Sequence, residues 1–345
     1  MTPTPEASAG SAPRGSAEPL DTAYDVALLD LDGVVYLGGT AIPGAAAALR
    51  KAEAAGMRLA YVTNNAYRTP AAIAALLTGL GVPAAPGDVV TSAQAAARML
   101  AERLPPGARV LVIGGSGLRM AVRERGLRPV STAADQPQAV VQGYSPDVGY
   151  PVLAEGGLAV AAGALFVASN GDLTLPGRRG RQPGNGSLIQ VIATATGVKP
   201  LVAGKPESPL HQESVLRTGA RRPLVVGDRL DTDIEGAQRV GADSMLVLTG
   251  VTGPAEVVLA PPSQHPAYLA EDLGGLLEPH PGVTTRDGMS CCGGWTARVH
   301  DGRLELGGGG KRIDGLRALC AAAWADGSLT AAAVRPAVQR LDGAR

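Results

Sequence analysis

The stretch VALLDLDGVVYLGG, Val26 to Gly39, places two carboxylates, Asp30 and Asp32, at the end of an apolar run with only Leu31 between them. Side chains two apart in an extended chain point the same way, so the spacing predicts that both acids share one small site. Carboxylates that close do not both stay ionised without compensation. A divalent cation supplies it, and Mg2+ prefers a few carboxylates, several waters and substrate phosphate oxygens. Three other run ends carry polar groups that fit the same chemistry. YVTNN ends in Thr63, Asn64 and Asn65; AGKPES sets Lys205 in a Gly–Lys–Pro turn; VVGDRLDTDIEGA carries Asp228, Asp231 and Asp233. Asp228 is the natural third metal ligand. Thr63, Asn65 and their backbone amides suit phosphate oxygens, and Lys205 suits the charge of a transferring phosphoryl group. These are the ingredients of phosphoryl transfer through an aspartyl phosphate.

Such groups need a scaffold that gathers distant segments on one edge. Short β-branched runs alternate with Ala-rich helical stretches. Strands are expected at Val26–Asp30, Arg58–Thr63, Arg109–Ile113, Ala139–Gln142, Leu165–Ser169, Leu224–Gly227 and Ser244–Leu248. Helices are expected at Gly44–Ala55, Pro70–Leu80, Ser92–Arg103, Ser187–Thr196, Pro209–Thr218 and Thr232–Val240. Strands apolar on both faces are covered by helices on both sides, so the pattern reads as α/β with a doubly wound, Rossmann-like parallel sheet. In such sheets ligands bind outside the carboxyl ends of the strands, where these polar groups fall.

The ordered set DLDGV, VTNN, GKP and GDRLDTD resembles the four motifs of the haloacid dehalogenase superfamily of phosphatases, over roughly Ala23 to Pro254. The segment between the second and third motifs resembles the large α/β cap of the 4-nitrophenyl phosphatase and phosphoglycolate phosphatase group, as do VVQGY, VASNGD and PGNGSL within it. The resemblance implies that Asp30 is the nucleophile and Asp32 the general acid/base. It implies metal binding by the Asp30 and Asp228 carboxylates and the Asp32 backbone carbonyl, with Asp233 orienting ligands or waters. Thr63, Asn64, Asn65 and Lys205 are implied to bind the phosphoryl group. The architecture, including an extension from Gly282 to Arg345, resembles actinobacterial glycerol 3-phosphate phosphatases. The expected substrate is therefore glycerol 3-phosphate, with 2-phosphoglycolate or a nucleotide or sugar phosphate as alternatives. Pyridoxal phosphate fits less well, because LTLPG after VASNGD has no histidine. A non-catalytic phosphate-ligand sensor is the alternative of another class, disfavoured by the intact Asp30, Asp32, Asp228 and Lys205.

The division this implies is a disordered tail at 1–22, a core at 23–101 and 203–279, a cap at 102–202 and a small α+β domain at 282–345. The tail should form a hairpin turning at Asp301–Gly302, then helices Arg312–Ala325 and Thr330–Leu341. It is too small to be stable alone, so it is expected to dock on the core or on a second subunit in a homo-oligomer. Thr232 and Glu235 are spaced as a capping box, and Asp231 is read as a surface or capping acid. The glycines of IGGSG, Gly114 to Gly117, read as a turn rather than a nucleotide loop. Arg178, Arg179 and Arg181 read as a solvated loop, His211, His265, His280 and His300 as non-catalytic, and Cys291 and Cys292 as ordinary thiols. Lysine plus arginine equal aspartate plus glutamate at 31 each, so no basic field favours nucleic acid or a membrane surface. No apolar run reaches membrane-spanning length and no secretion signal opens the chain. A cytoplasmic enzyme acting on a small phosphomonoester is the expectation.

Overall fold

A computed structural model describes residues 12–177 and 179–343. The chain divides into two compact units, Met1–Leu59 with Leu80–Pro83 and Ala220–Arg345, and Ala60–Gly79 with Ala84–Gly219. The expected cap boundaries at 102 and 202 both fall inside the second.

The first unit holds four parallel strands in the order Tyr268–Ala270, Asp243–Val247, Pro223–Gly227, Val26–Leu29. Val26–Leu29 is buried at every position, the pattern of a strand covered on both faces. The tail adds a four-stranded antiparallel sheet, Thr284–Arg286, Met289–Cys292, Trp295–His300 and Arg303–Gly308. Helices Arg312–Asp326 and Ala331–Asp342 follow. The expected hairpin turn is present: Asp301 and Gly302 have φ of 48° and 68°, the left-handed pair of a tight hairpin. The hairpin before it, turning at Asp287–Gly288, was not expected.

The tail docks on the core of its own chain. Trp295, Leu304, Leu306, Leu316, Leu319 and Val334 share one buried cluster with Leu246, Val257, Val258 and Leu269. Residues 12–22, expected to be disordered, are instead tied down. Ser16 pairs with His280, Arg14 N–H donates to Ala267 O, and Leu20, in the helical turn Leu20–Ala23, is fully buried. A proline-rich composition concealed one backbone pairing and one anchoring leucine. The first eleven residues of that expectation lie outside the described residues.

The second unit pairs Tyr61, Val62 and Thr63, the end of strand Arg58–Thr63, with Val89–Thr91 in parallel. It also carries a five-stranded parallel sheet in the order Leu201–Val202, Leu165–Ala168, Ala139–Gln142, Arg109–Ile113, Arg128–Val130. Helix Tyr150–Ala161, which was not among the expected helices, covers it. A Cβ on Gly156 would collide with Ile113 and Ile192 side chains, so the glycine lets the helix lie close. IGGSG opens a further helix, Ser116–Glu124. Side chains at Gly115 and Gly117 would strike Tyr67 and the Arg68 carbonyl, which accounts for the glycines by packing. Arg181 is exposed on a short strand, Gly180–Pro183, and Arg178 lies outside the described residues. Among the described residues no helix is long and apolar enough to cross a membrane.

Candidate active site

In the first unit, Asp30 and Asp228 lie just past the ends of neighbouring parallel strands. Asp30 N–H donates to Val226 O at 2.8 Å, carrying the ladder one step beyond Leu29. Asp30, Asp228 and Asp233 each present a carboxylate oxygen within 4.8 Å of the others. Asp228 and Asp233 are each 1% exposed. Three converging carboxylates repel one another unless a cation joins them, and an all-oxygen set suits a hard divalent ion such as Mg2+. These residues therefore fit the metal that the motifs imply.

The geometry of Asp32 differs from the expectation. The strand ends at Leu29, and Leu31 O accepts the amides of Val34, Val35 and Tyr36. The chain turns there, so alternation along an extended strand does not apply to Asp30 and Asp32. The Asp32 carboxylate is exposed and is no member of the three-acid cluster; the Tyr36 hydroxyl donates to its Oδ2 at 3.4 Å. Asp233 belongs to the cluster directly, from a π-helical turn, Leu230–Ile234, with its Oδ2 accepting Arg229 N–H at 3.2 Å. Thr232 is buried inside that turn and caps nothing; Asp231 is exposed and paired with Arg229 at 2.8 Å.

Glycines shape the seat of Asp228. Gly33, at φ +84°, and Gly250 would each drive a Cβ into the Asp228 carboxyl group. Val251 N–H donates to Asp228 Oδ2 at 2.7 Å and Thr249 Oγ1 to Gly33 O at 2.6 Å. The sequence reading passed over Gly250 and Val251; a glycine just after the strand ending at Val247 was the available signal. Gly250→Ala is expected to raise the magnesium concentration for half-maximal turnover by roughly 10–100-fold, the range typical of lost ligand support. A magnesium titration unchanged by the substitution would show that this glycine does not set the carboxylate.

In the second unit, Thr63 Oγ1 accepts Asn65 N–H at 3.1 Å. Asn65 Oδ1 accepts the amides of Tyr67 and Arg68, so that side chain shapes its own loop. Asn64 bonds to Lys205 and to Asp172. Lys205 is 4% exposed, and its Nζ donates to Val62 O at 3.3 Å.

His211, on helix Ser208–Thr218, is 1% exposed, and neither ring nitrogen has a hydrogen-bond partner among the described residues. Burial, with Lys205 adding a like charge, pushes its pKa down to about 3. The unfolded chain then binds a proton that the folded chain refuses. Stability is unaffected above about pH 6.5 and falls by roughly 1 kcal/mol per unit as pH drops below it. His211→Met removes both the unpaired polar atoms and that loss. Its Tm is expected to rise at pH 7.5 and the gap to widen at pH 5; a lower Tm at both pH values would mean the ring has a partner.

Residues 27–128 match the haloacid dehalogenase-like hydrolase family, and 202–276 match a further HAD-hydrolase-like family. The D-glycerol 3-phosphate phosphatase of Mycobacterium tuberculosis is 50% identical over 253 residues, 73% of this chain and 71% of that protein. The chain belongs to the haloacid dehalogenase-like hydrolases. A 5′-nucleotidase of Bacillus subtilis is 40% identical over 66% of this chain and 89% of its own length. The crystal structure of a glycerol phosphate phosphatase from M. tuberculosis in complex with magnesium superposes with a TM-score of 0.85 at 42% identity, covering 94% of this chain and 99% of that one. Residues 292–343 of this HAD-like hydrolase match a GCN5-related N-acetyltransferase-like domain, a likeness the sequence reading did not find.

Proposed function

We propose that this chain is a magnesium-dependent phosphatase that hydrolyses glycerol 3-phosphate through an aspartyl phosphate on Asp30. The observation that carries the reading is the convergence of Asp30, Asp228 and Asp233 in a chain of this family. A carboxylate oxygen of Asp30 attacks phosphorus while the bond to the leaving alkoxide breaks. Asp32 gives its proton to that alkoxide, worth roughly 10²–10⁴-fold. Asp32, now ionised, takes a proton from water as its oxygen attacks the phosphoryl group, and phosphate leaves with Asp30 restored. Thr63, Asn65 and Lys205 hold and neutralise phosphoryl oxygens. A magnesium ion would be held by Asp30, Asp228 and the Asp32 carbonyl, with Asp233 orienting ligands or waters, and would supply charge neutralisation.

Glycerol 3-phosphate is preferred over 2-phosphoglycolate and nucleotides because the M. tuberculosis relative of that name is the more similar, and the solved glycerol phosphate phosphatase is matched across the tail as well. In a parallel assay, kcat/KM on glycerol 3-phosphate should exceed that on 2-phosphoglycolate and 5′-nucleotides by about tenfold or more, the discrimination a fitted pocket gives. Chelation should abolish turnover and magnesium restore it. A higher kcat/KM on any competitor removes the substrate assignment; hydrolysis indifferent to chelation removes the metal.

A further inference from the structure

Asn64 stands in the motif whose side chains are expected to bind phosphate, yet its side chain is engaged elsewhere. Oδ1 accepts Lys205 N–H at 2.8 Å and Nδ2 donates to Lys205 O at 3.2 Å. The amide pairs with the peptide of Lys205 on both edges, as a neighbouring strand would. The other Nδ2 proton goes to the Asp172 carboxylate, at 3.2 Å to Oδ2 and 3.3 Å to Oδ1. A carboxylate only accepts, so Asp172 fixes which end of the amide is nitrogen and therefore which end meets Lys205 N–H. Both donors are spent, and a phosphoryl oxygen could be bound only by releasing Lys205 or Asp172.

The surroundings hold this arrangement. Asn64 O accepts Ser92 Oγ at 2.7 Å and Asn170 Nδ2 at 2.8 Å. Ser92 sits in the first turn of helix Ser92–Ala101, which is fixed by a Thr91–Gln94 capping box. Gly204 lies where the chains touch. A Cβ there would fall 2.5 Å from Asn64 Oδ1, 2.7 Å from Ser169 O and 2.9 Å from Asn170 Cβ. The glycine of Gly–Lys–Pro is thus needed to bring Lys205 against the amide.

We propose that Asn64 is a positioning residue that acts through Lys205, and that Asp172 orients Asn64 for it. The inference rests on the reading that Lys205 neutralises the phosphoryl group. Asp172 comes from VASNGD, a stretch to which the sequence reading gave no role in the chemistry. The amide–peptide pair fixes the start of a long flexible side chain, and a small misplacement of a catalytic cation is costly.

A double-mutant cycle on 4-nitrophenyl phosphate turnover tests this, with Asn64→Ala, Lys205→Ala and both together. Lys205→Ala is expected to lower kcat by roughly 10²–10³-fold, as for loss of one charge-stabilising donor. Asn64→Ala is expected to lower kcat by about tenfold or more with KM changed less than threefold, since the effect passes through Lys205. The double variant should be no worse than Lys205→Ala. Losses that multiply would overturn the proposal, because Asn64 would then act independently, and so would a rise in KM with kcat intact. Full activity in Lys205→Ala would instead sink the role given to Lys205, a different result. A swap checks the Asp172 arm. Asn64→Asp sets carboxylate oxygen against both Asp172 and Lys205 O and should lose about 10²-fold; adding Asp172→Asn restores a donor on the Asp172 side alone and should recover part of it. Failure of the folded double variant to recover, with near-ultraviolet circular dichroism matching the parent, overturns that arm. The swap decides alone if Asn64→Ala does not fold.

Discussion

Asp32→Asn is expected to release one equivalent of 4-nitrophenolate per enzyme and then stall, whereas Asp30→Asn releases none. An asparagine amide is no nucleophile, so Asp30→Asn should lose turnover by on the order of 10⁴-fold or more, with no phosphoryl group found on the protein. In the proposed mechanism Asp32 serves both half-reactions, and leaving groups separate them. 4-Nitrophenolate is a stable anion and needs little help from an acid, so Asp30 can still be phosphorylated when residue 32 is Asn. Hydrolysis of the resulting acyl phosphate then lacks its base and slows by roughly 10²–10⁴-fold. Glycerol departs from glycerol 3-phosphate as a basic alkoxide, so with that substrate the same variant should show no burst. Rapid quench and intact-protein mass read the two steps directly. A burst from Asp30→Asn, or identical burst-free losses of Asp32→Asn on both substrates, would remove these roles. The exposed Asp32, outside the three-acid cluster in which Asp228 and Asp233 are buried, suits a proton carrier that must meet both leaving group and water.

The candidate residues stand out in the sequence because phosphoryl transfer demands particular types in a particular order. Strands were legible wherever both faces are apolar: Arg58–Thr63, Arg109–Ile113 and Ala139–Gln142 have the expected bounds. What escaped depends on partners far along the chain or on backbone that departs from a regular period. The turn at Leu31 defeats the argument from strand alternation. Asn64 reads as a phosphate donor, and the sequence does not show that Asp172, 108 residues away, accepts a hydrogen bond from its amide. Why positions 115, 117 and 156 are glycine is not visible locally, because the surfaces that need them, Tyr67, Arg68 and Ile113, are not neighbours in sequence. The tail shows the same limit. Asp287–Gly288 carries the same hairpin signal as Asp301–Gly302, but the strand before it, Thr284–Arg286, is short and exposed and shows no alternation to reveal it.

Truncation after Pro279 is expected to unfold the first unit rather than release a separable module. Leu246, Val257, Val258 and Leu269 are each at most 2% exposed in one cluster with tail side chains. Burial of such a side chain is worth roughly 1.5–3 kcal/mol. Uncovering even half of their area would cost about 3–6 kcal/mol, much of the 5–15 kcal/mol that holds a domain folded. Polar contacts add to this. Trp324 Nε1 donates to Val257 O at 3.0 Å, and Arg317 donates to Leu269 O at 2.6 Å and to His280 Nδ1 at 3.0 Å. Arg317 also pairs with Asp314, both nearly inaccessible to water. Arg317→Met leaves that carboxylate and the Leu269 carbonyl buried without their cation, a change that typically costs about 3–5 kcal/mol. Urea unfolding of Arg317→Met should show that loss while kcat of the folded fraction stays within a few-fold of the parent. The truncated chain should give no cooperative transition. A soluble truncated protein with the parent's Tm would show that the tail only rests on the core. An Arg317→Met midpoint equal to the parent's would show that its buried charges add nothing. Should both losses appear, the GCN5-related N-acetyltransferase-like segment is part of what holds Asp228 in place, because the strand Asp243–Val247 leads directly into the Gly250–Val251 seat of that carboxylate and Leu246 on it is covered by the tail.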